Sequence, residues 1–552
     1  MPGKEGEISD RLRSAKQLLD QSRFEEALQI VNRFVTLEDL ESTDQLAAKI
    51  LKSQILSTKG DTPNALQLAE AAIKESKDLA NSLQEVDACT AKAMALCQMG
   101  RFDESLNAID HAENILKILT AESSVVLDPK KAVLIYYKGR NWTWKGATDE
   151  GLEHLQHSLK LHENIGNKSM IALSLKDIGI AYYYKGDRKR ALKYTQQSLG
   201  LSEEIDNKSV MMSALNNMAI VYNEVGELNR ALECYQQNLA LSEEIDYTYG
   251  IAVTLANIGV ILVSKGDLTR AMEHQQRALA IWEAIDRKDE IAATLNNIAE
   301  IHYRKGDIDQ SMECDEKSLA LYEEVGNPIQ ISGALNSLIT KSTDIGALEQ
   351  AQNYLERLKR IRDQQKNNVI DLNYRSAEAE VLKVGSRMAD KVKAQQAFQE
   401  LAEEENTFLN KVAAMYNLCE LLLDEFNAYG EPAVFQEANI LVEKIATLTQ
   451  QSHHFLLGVN TLILRAKFAM VEGNLTTATE LLGEAIMISK SKGLGTLVEK
   501  ATKEQQRLED QYDKWQHLIQ SNAPFQARLK QARVDKYLAE ALKLARTVRV
   551  SP

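Results

Sequence analysis

Residues 175–186 read LKDIGIAYYYKG, and residues 191–206 read ALKYTQQSLGLSEEID. The same frame returns as LNNMAIVYNEVG (215–226) with ALECYQQNLALSEEID (231–246), and again as LANIGVILVSKG (255–266) with AMEHQQRALAIWEAID (271–286). It returns once more as LNNIAEIHYRKG (295–306) with SMECDEKSLALYEEVG (311–326). Gly146, Gly186, Gly226, Gly266, Gly306 and Gly346 stand 40 residues apart, and Gly60 and Gly100 keep that interval upstream. Self-similarity at a fixed period of this length marks a repeat architecture. Each half carries apolar residues at i, i+3, i+4 and i+7, the stripe of an amphipathic helix. Forty residues less two short turns leave about 17 per helix, roughly 25 Å of rod. The spacing predicts one helical hairpin per repeat.

The fixed positions have physical reasons. The repeated glycine ends the first helix of each hairpin, where a left-handed backbone is needed. Gly179, Ala219, Gly259 and Ala299 fall mid-way along first helices, and Ala191, Ala231, Ala271, Ser311 and Ala351 answer them from second helices. Small residues facing one another let two helix axes approach to the short end of roughly 8–10 Å. Leu175, Leu215, Leu255 and Leu295 fill space between hairpins. Ser169 and Ser209, each after an Asn-Lys turn, are expected to cap the helices that follow. Pro63, Pro129, Pro328, Pro432 and Pro524 are expected at helix boundaries, where a missing N–H is harmless.

The motif Gly179, Tyr182, Gly186, Ala191, repeated as Ala219, Tyr222, Gly226, Ala231, resembles the tetratricopeptide repeat (TPR). The period of 40 rather than 34 resembles the long-helix class found in spindle-orientation adaptors, kinesin light chains and some regulatory ATPases. The resemblance implies an all-α, right-handed superhelical solenoid of antiparallel helical hairpins. Followed along the alanine position, the array runs Ala27, Ala65, Ser105, Gly151, Ala191, Ala231, Ala271, Ser311, Ala351, Ala397, Ala438 and Ala478, giving twelve hairpins. Steps of 46 at Ser105–Gly151 and Ala351–Ala397 suggest segment boundaries. Four segments are therefore expected: repeat-like hairpins over 1–120, the regular array over 121–365, degenerate hairpins over 366–490, and capping helices over 491–552. The last segment reads as two helices, Thr496 to Gln520 and a basic one from Phe525 to Val550.

Composition narrows the function. Among 552 residues stand 26 glycines and 7 prolines, against averages of roughly 7% and 5%, so a turn-rich sheet fold is disfavoured. A formal charge of −14 speaks against a nucleic-acid binder, which needs a basic surface. Cys89, Cys97, Cys234, Cys314 and Cys419 are odd in number and lack CxxC spacing, which points to a reducing compartment. MPGKEGEISD has no apolar signal core, and the apolar stretch Phe455 to Val471 is broken by Asn460, Arg465 and Lys467. A cytoplasmic protein without a membrane span is expected.

Catalytic or metal chemistry finds little footing. Gly166-Asn167-Lys168-Ser169 lacks the spacing of a phosphate loop and recurs as Asp206-Asn207-Lys208-Ser209, which marks it as a turn. His154, His157 and His162 share a helix, and the column through the first reads His154, Tyr194, Cys234, His274, Cys314, Tyr354. Successive members stand roughly 10 Å or more apart, whereas ligands must converge at about 2.0–2.3 Å, so only neighbours such as His274 and Cys314 could share an ion. The column is expected to serve packing. No enzyme, no metal and no cofactor is expected.

Solenoids of the resembled family line an inner groove with first-helix side chains. Asn217, Asn257 and Asn297 recur there, with Asp177 and Ser337 in register. A carboxamide carries both donor and acceptor and can pair with both backbone groups of an extended peptide. The alternative is that these side chains bond within their own hairpins. Ile180, Tyr183, Tyr184, Ile220, Val260, Val263 and Tyr303 neighbour them. The family's two-carboxylate clamp is matched only by Lys176 and Asn217, with Ile180, Val253 and Asn257 in its other places, so an acidic chaperone tail is not the expected ligand. Glu203, Glu204, Asp206, Glu243, Glu244, Asp246, Glu323 and Glu324 gather after second helices, as a solvated edge or a surface for a basic partner. The basic last helix is expected to cap the array or to dock on an acidic surface, its own included. The expected function is a protein–protein interaction scaffold or adaptor holding a partner's peptide segment in the groove, or a regulatory sensor responding to a peptide or small ligand there.

Overall fold

The structure is a computed structural model and describes residues 2–20, 23–35, 42–119, 124–365, 367–404, 408–452, 454–492 and 494–547. Among these residues the backbone forms helices and no strand. Six hairpins come first: α1 (Pro2–Asp20) with α2 (Phe24–Val35), α3 (Ser42–Lys59) with α4 (Thr62–Asp78), and α5 (Ser82–Gln98) with α6 (Phe102–Ile118), then α7 (Ser124–Lys145) with α8 (Thr148–Ile165), α9 (Lys168–Tyr184) with α10 (Arg188–Glu204), and α11 (Lys208–Glu224) with α12 (Leu228–Glu244). Six more follow: α13 (Thr248–Lys265) with α14 (Leu268–Ala284), α15 (Lys288–Lys305) with α16 (Ile308–Val325), and α17 (Pro328–Asp344) with α18 (Leu348–Gln364), then α19 (Asn368–Lys383) with α20 (Met388–Glu403), α21 (Phe408–Tyr429) with α22 (Pro432–Gln451), and α23 (Phe455–Glu472) with α24 (Leu475–Ser491). The chain continues as α25 (Gly495–Asp510), α26 (Tyr512–Gln520), α27 (Phe525–Ala532) and α28 (Val534–Thr547). The fold is an all-α solenoid of TPR-type hairpins, in two compact units: Met1–Val221 with Cys234–Tyr247, and Tyr222–Glu233 with Thr248–Pro552. This division falls inside the regular array.

The glycines do what their spacing implies. Gly60, Gly100, Gly146, Gly186, Gly226, Gly266, Gly306 and Gly346 all have φ between +73° and +97°. The matching turns after second helices are less uniform: Gly166 and Gly326 bracket Asp206, Asp246 and Asp286, each aspartate at φ +52°. Close helix approach is clearest between α7 and α8, where a Cβ on Gly139 would stand 2.8 Å from the Leu155 nitrogen. One bond type recurs unannounced by the repeat: Ser158, Ser198 and Ser318 each donate to the carbonyl 26 residues earlier, at Ala132, Ala172 and Ala292. Asn238 does the same to Met212.

Several expectations are corrected. The caps before α9 and α11 are Asn167 and Asn207, whose Oδ1 atoms accept from the Met170 and Val210 N–H groups. Ser169 lies inside α9 and accepts from the Asn207 amide. Pro129 sits inside α7, near enough to its start that only one early backbone bond is lost. In α20 the fully buried alanine is Ala394 rather than Ala397, so the register shifts by one turn. The expected Thr496–Gln520 helix breaks at Gln511 into α25 and α26, and the last expected helix breaks at Arg533, whose φ is +53°. Its expected end at Val550 lies outside the described residues.

Four of the eight acids on the expected edge are answered by the protein itself. Lys168, Lys208 and Lys288, at the starts of first helices, pair with Glu204, Glu244 and Glu324 at the ends of second helices at 2.5–2.7 Å. Arg357 pairs with Glu323 at 2.5 Å. Such exposed pairs contribute at most about 1 kcal/mol each, but they offset the cost of acids at helix C-termini. By length and composition α13, not the Phe455–Val471 stretch, could cross a membrane. Its Ala252, Leu255, Ile258, Ile261 and Leu262 are buried, as in the core of a hairpin stack.

Each unit also closes on itself. In the first, Tyr247 stacks edge-on against Phe24 with ring centroids 5.3 Å apart. In the second, the turn at Gly226 meets the start of α23: a Cβ on Gly226 would stand 3.1 Å from the Phe455 nitrogen. Lys492 pairs there with Glu227 at 3.2 Å and lies 3.9 Å over the Phe455 ring.

Candidate functional site

In the first unit Asp177 departs from the expected row of groove residues. It is 2% exposed, and its carboxylate accepts from the Tyr136 hydroxyl at 2.5 Å and pairs with Lys176 at 2.9 Å. Burial pushes the Asp177 carboxyl up, but Lys176, Arg140 and the Tyr136 hydroxyl outweigh burial and hold it below its ordinary value. The group ties α7 to α9 and is not free for a partner. Lys176, one of the two residues that matched the family clamp, is spent on the same contact. Tyr183 is half-buried with the Arg188 guanidinium 5.2 Å over its ring. Tyr184 is exposed and packs edge-on against Trp144, an exposed aromatic that the repeat pattern did not single out. Asn217 and Ile220 are half-buried, and the Asn217 Nδ2 is sealed from solvent without a hydrogen-bond partner.

In the second unit Asn257 and Val260 are half-buried on α13. Asn297 on α15 lines a cavity of about 310 Å³, at the small end of ligand-site sizes. Asn296, Asn336, Asn410 and Asn417 supply further carboxamides to this cavity, and Phe398, Leu401 and Leu409 supply an apolar wall. Tyr303 also lines it, but as a fixed floor rather than a free groove residue. Its ring is 7% exposed, its hydroxyl donates to Asp344, and Lys341 and Lys543 stand 5.6 and 4.8 Å over the ring. Burial first, then the Asp344 carboxylate, pushes the phenol well up. Beneath it Lys341 and Asp315 form an ion pair at 2.5 Å, both almost fully buried, with Ser337 donating to the same carboxylate. Burial raises the Asp315 carboxyl on balance, despite Lys341.

The far wall is α28, which rests its apolar face on α21 and α23: Val534, Leu538, Ala541 and Leu542 are 0–3% exposed. The Tyr537 hydroxyl donates to Asn460 at 3.0 Å. Arg546 reaches Glu380 at 2.8 Å, Asp344 at 3.7 Å and the Asn417 oxygen at 3.4 Å. Of the bases expected on this helix, Arg546 is the one that meets Glu380 and Asp344 among the described residues. Sequence reasoning had no means of finding Glu380, whose position carries no repeat signal. The Asn-Asn doublets at 216–217 and 296–297 were a visible pointer to Asn296.

The histidine column resolves into separate packing roles. Tyr194 stacks on Tyr182, His274 bonds to the Arg270 carbonyl, and the Tyr354 hydroxyl donates to Glu316. Among the described residues no three His, Cys, Asp or Glu side chains group as a metal site. Cys89, Cys97, Cys234 and Cys419 are buried and Cys314 half-buried, all as free thiols.

Comparison with curated proteins gives no match. Among solved structures, the apo quorum sensor NprR from B. thuringiensis is similar at 16% identity and a TM-score of 0.46, covering 65% of this chain and 99% of that one. A Rap protein complexed with competence and sporulation factor is similar at 14% identity and a TM-score of 0.44, covering 70% and 99%. Aspartyl phosphate phosphatase F from Bacillus subtilis follows at 16% and 0.43, covering 66% and 94%. The profile of the MalT-like TPR region matches residues 178–498, from the middle of α9 to the start of α25 and more than half of the sequence. With its 40-residue hairpins and glycine turns in place, the chain belongs to the MalT-like TPR family.

Proposed function

We propose that this chain is a non-catalytic scaffold or adaptor that holds a segment of a partner protein against the inner faces of its first helices. The observation that carries this reading is the amide-lined cavity of the second unit, where Asn296, Asn297 and Asn336 border unfilled space of about 310 Å³. Carboxamides so placed offer a donor and an acceptor at once, as peptide backbone requires. Asn257 and Asn297 are the rungs we assign to partner contact in this unit, and Asn217, with its unpartnered Nδ2, is the rung in the first. Free thiols suit a reducing, cytoplasmic setting.

A second reading, a regulatory sensor, is favoured by one feature: α28 walls the cavity, as a site for a small ligand would need. Site-specific photo-crosslinking in the native cell tests the first. A crosslinker at position 257 or 297 should capture one and the same protein, and one at the exposed outer position 273 should not. Capture only from position 273 would refute groove binding.

A further inference from the structure

The seat of α28 shows what the groove of the second unit demands of an occupant. Glu380 is 7% exposed, and among the described residues Arg546 is the one cation paired with it. Without Arg546 it would be a buried carboxylate with no counter-charge, an arrangement that is strongly destabilising. Asp344 beside it is served by the same guanidinium and by the Tyr303 hydroxyl. The ring of Tyr303 takes a second cation, Lys543. Asn460 takes a hydroxyl from Tyr537. The groove thus calls for an apolar helical face with a basic end.

α28 meets that demand imperfectly. One carboxylate oxygen of Glu380 and the Arg546 Nε are buried without partners. At the other end of the helix, Asp535 faces Asp424 and Glu420, and burial together with these two acids pushes its carboxyl up. A cavity of about 310 Å³ remains between α28 and the helices α15, α17 and α21. Glu420 and Asp424 already pair with Lys383 and Lys391 at 2.8 and 3.2 Å, so a base in place of that aspartate would remove a third, repelled carboxylate rather than answer two free ones.

We propose that the inner face of α19, α21 and α23, with the Tyr303 floor, is a docking site for a basic amphipathic helix of a partner protein, and that α28 holds this site in competition with that partner. The inference rests on the groove-binding reading above and adds the partner's chemistry and the element that regulates its access.

The test uses the full chain and one probe, a fluorescent synthetic peptide of residues 534–547 carrying Asp535→Lys. Arg546→Glu in the protein places a like charge against Glu380 and loosens α28, so the probe should bind that variant at least tenfold more tightly than the parent. Asp535→Lys in the protein should seat α28 better and weaken probe binding at least tenfold. Hydrogen exchange over 534–547 of the protein should quicken when the probe binds the parent. Should Arg546→Glu prevent folding, the Asp535→Lys variant carries the test alone. Equal affinity for all folded proteins, or binding no better than that of a scrambled peptide, overturns the inference. Crosslinking from positions 257 and 297 reports separately, so a failed α28 competition leaves groove binding standing, and failure of both removes both.

Discussion

Gly226 and Gly306 end first helices in the same backbone conformation, φ +73° and +90°, but their surroundings differ. A Cβ at Gly306 meets nothing within 4 Å, whereas one at Gly226 would stand 3.1 Å from the Phe455 nitrogen and 3.2 Å from its Cβ. Alanine at either site bears the left-handed penalty of about 1–2 kcal/mol. At Gly226 it must also push the start of α23 away by a few tenths of an ångström, which adds about 1 kcal/mol. That increment has a ceiling, because the seam can open instead, giving up the Lys492–Glu227 pair, itself worth about 0.2–1 kcal/mol. We therefore expect Gly226→Ala to lower stability by about 1 kcal/mol more than Gly306→Ala in urea melts. The Gly458 amide, which donates to the His454 carbonyl at 2.9 Å, should exchange faster only in the first variant. Equal losses, with Gly458 exchange unchanged in both, would show that the seam does not exist in solution.

Other outcomes follow from single groups. Asp206→Gly and Asp286→Gly replace a residue at φ +52° that tolerates the left-handed region, so the backbone gain is nearly offset by glycine's unfolded-state entropy and each should shift stability by less than about 0.5 kcal/mol, read from the denaturation midpoint. His454 caps α23 by accepting from the Leu457 N–H, and burial lowers its pKa to about 4. The unfolded chain, with a pKa near 6.5, takes up the proton first, so stability is full above pH 6.5 and falls by about 3 kcal/mol as pH drops towards 4. His454→Asn keeps a capping acceptor and should flatten that slope in melts run from pH 7 to 4. Lys467→Met strips the Ala532 carbonyl and Glu504 of their buried donor, so a loss of about 3 kcal/mol and earlier unfolding of α27 are expected by hydrogen exchange.

The repeat was legible because its determinants are local. A glycine that needs positive φ and a small residue at a helix crossing leave their mark at a fixed offset, which carried the hairpins from Gly146 to Ala351. The left-handed turns at Asp206, Asp246 and Asp286 were not assigned, because aspartate tolerates that conformation without advertising it. The caps at α9 and α11 fall to asparagine because Asn167 and Asn207 stand just before helices that begin at Lys168 and Lys208, which puts Ser169 and Ser209 inside them. The break at Arg533 gives no local signal at all. The candidate site was half legible: Asn257 and Asn297 stand on the repeat. Asp177 was misjudged because Tyr136, its hydrogen-bond partner, is 41 residues away in the preceding hairpin. The pairing of Arg546 with Glu380 joins positions 166 residues apart, beyond any periodicity.

That separation also orders events in time. The helices α19, α21 and α23 are complete by Glu472, and about 60 residues pass before α28 begins at Val534. At roughly 5–20 residues per second, synthesis leaves the face that α28 will cover bare for about 3–12 s. Hairpins of this kind fold from local contacts, far faster than that. A nascent groove therefore stands finished and empty before its own occupant exists, and arrival order, rather than equilibrium affinity, decides what first fills it.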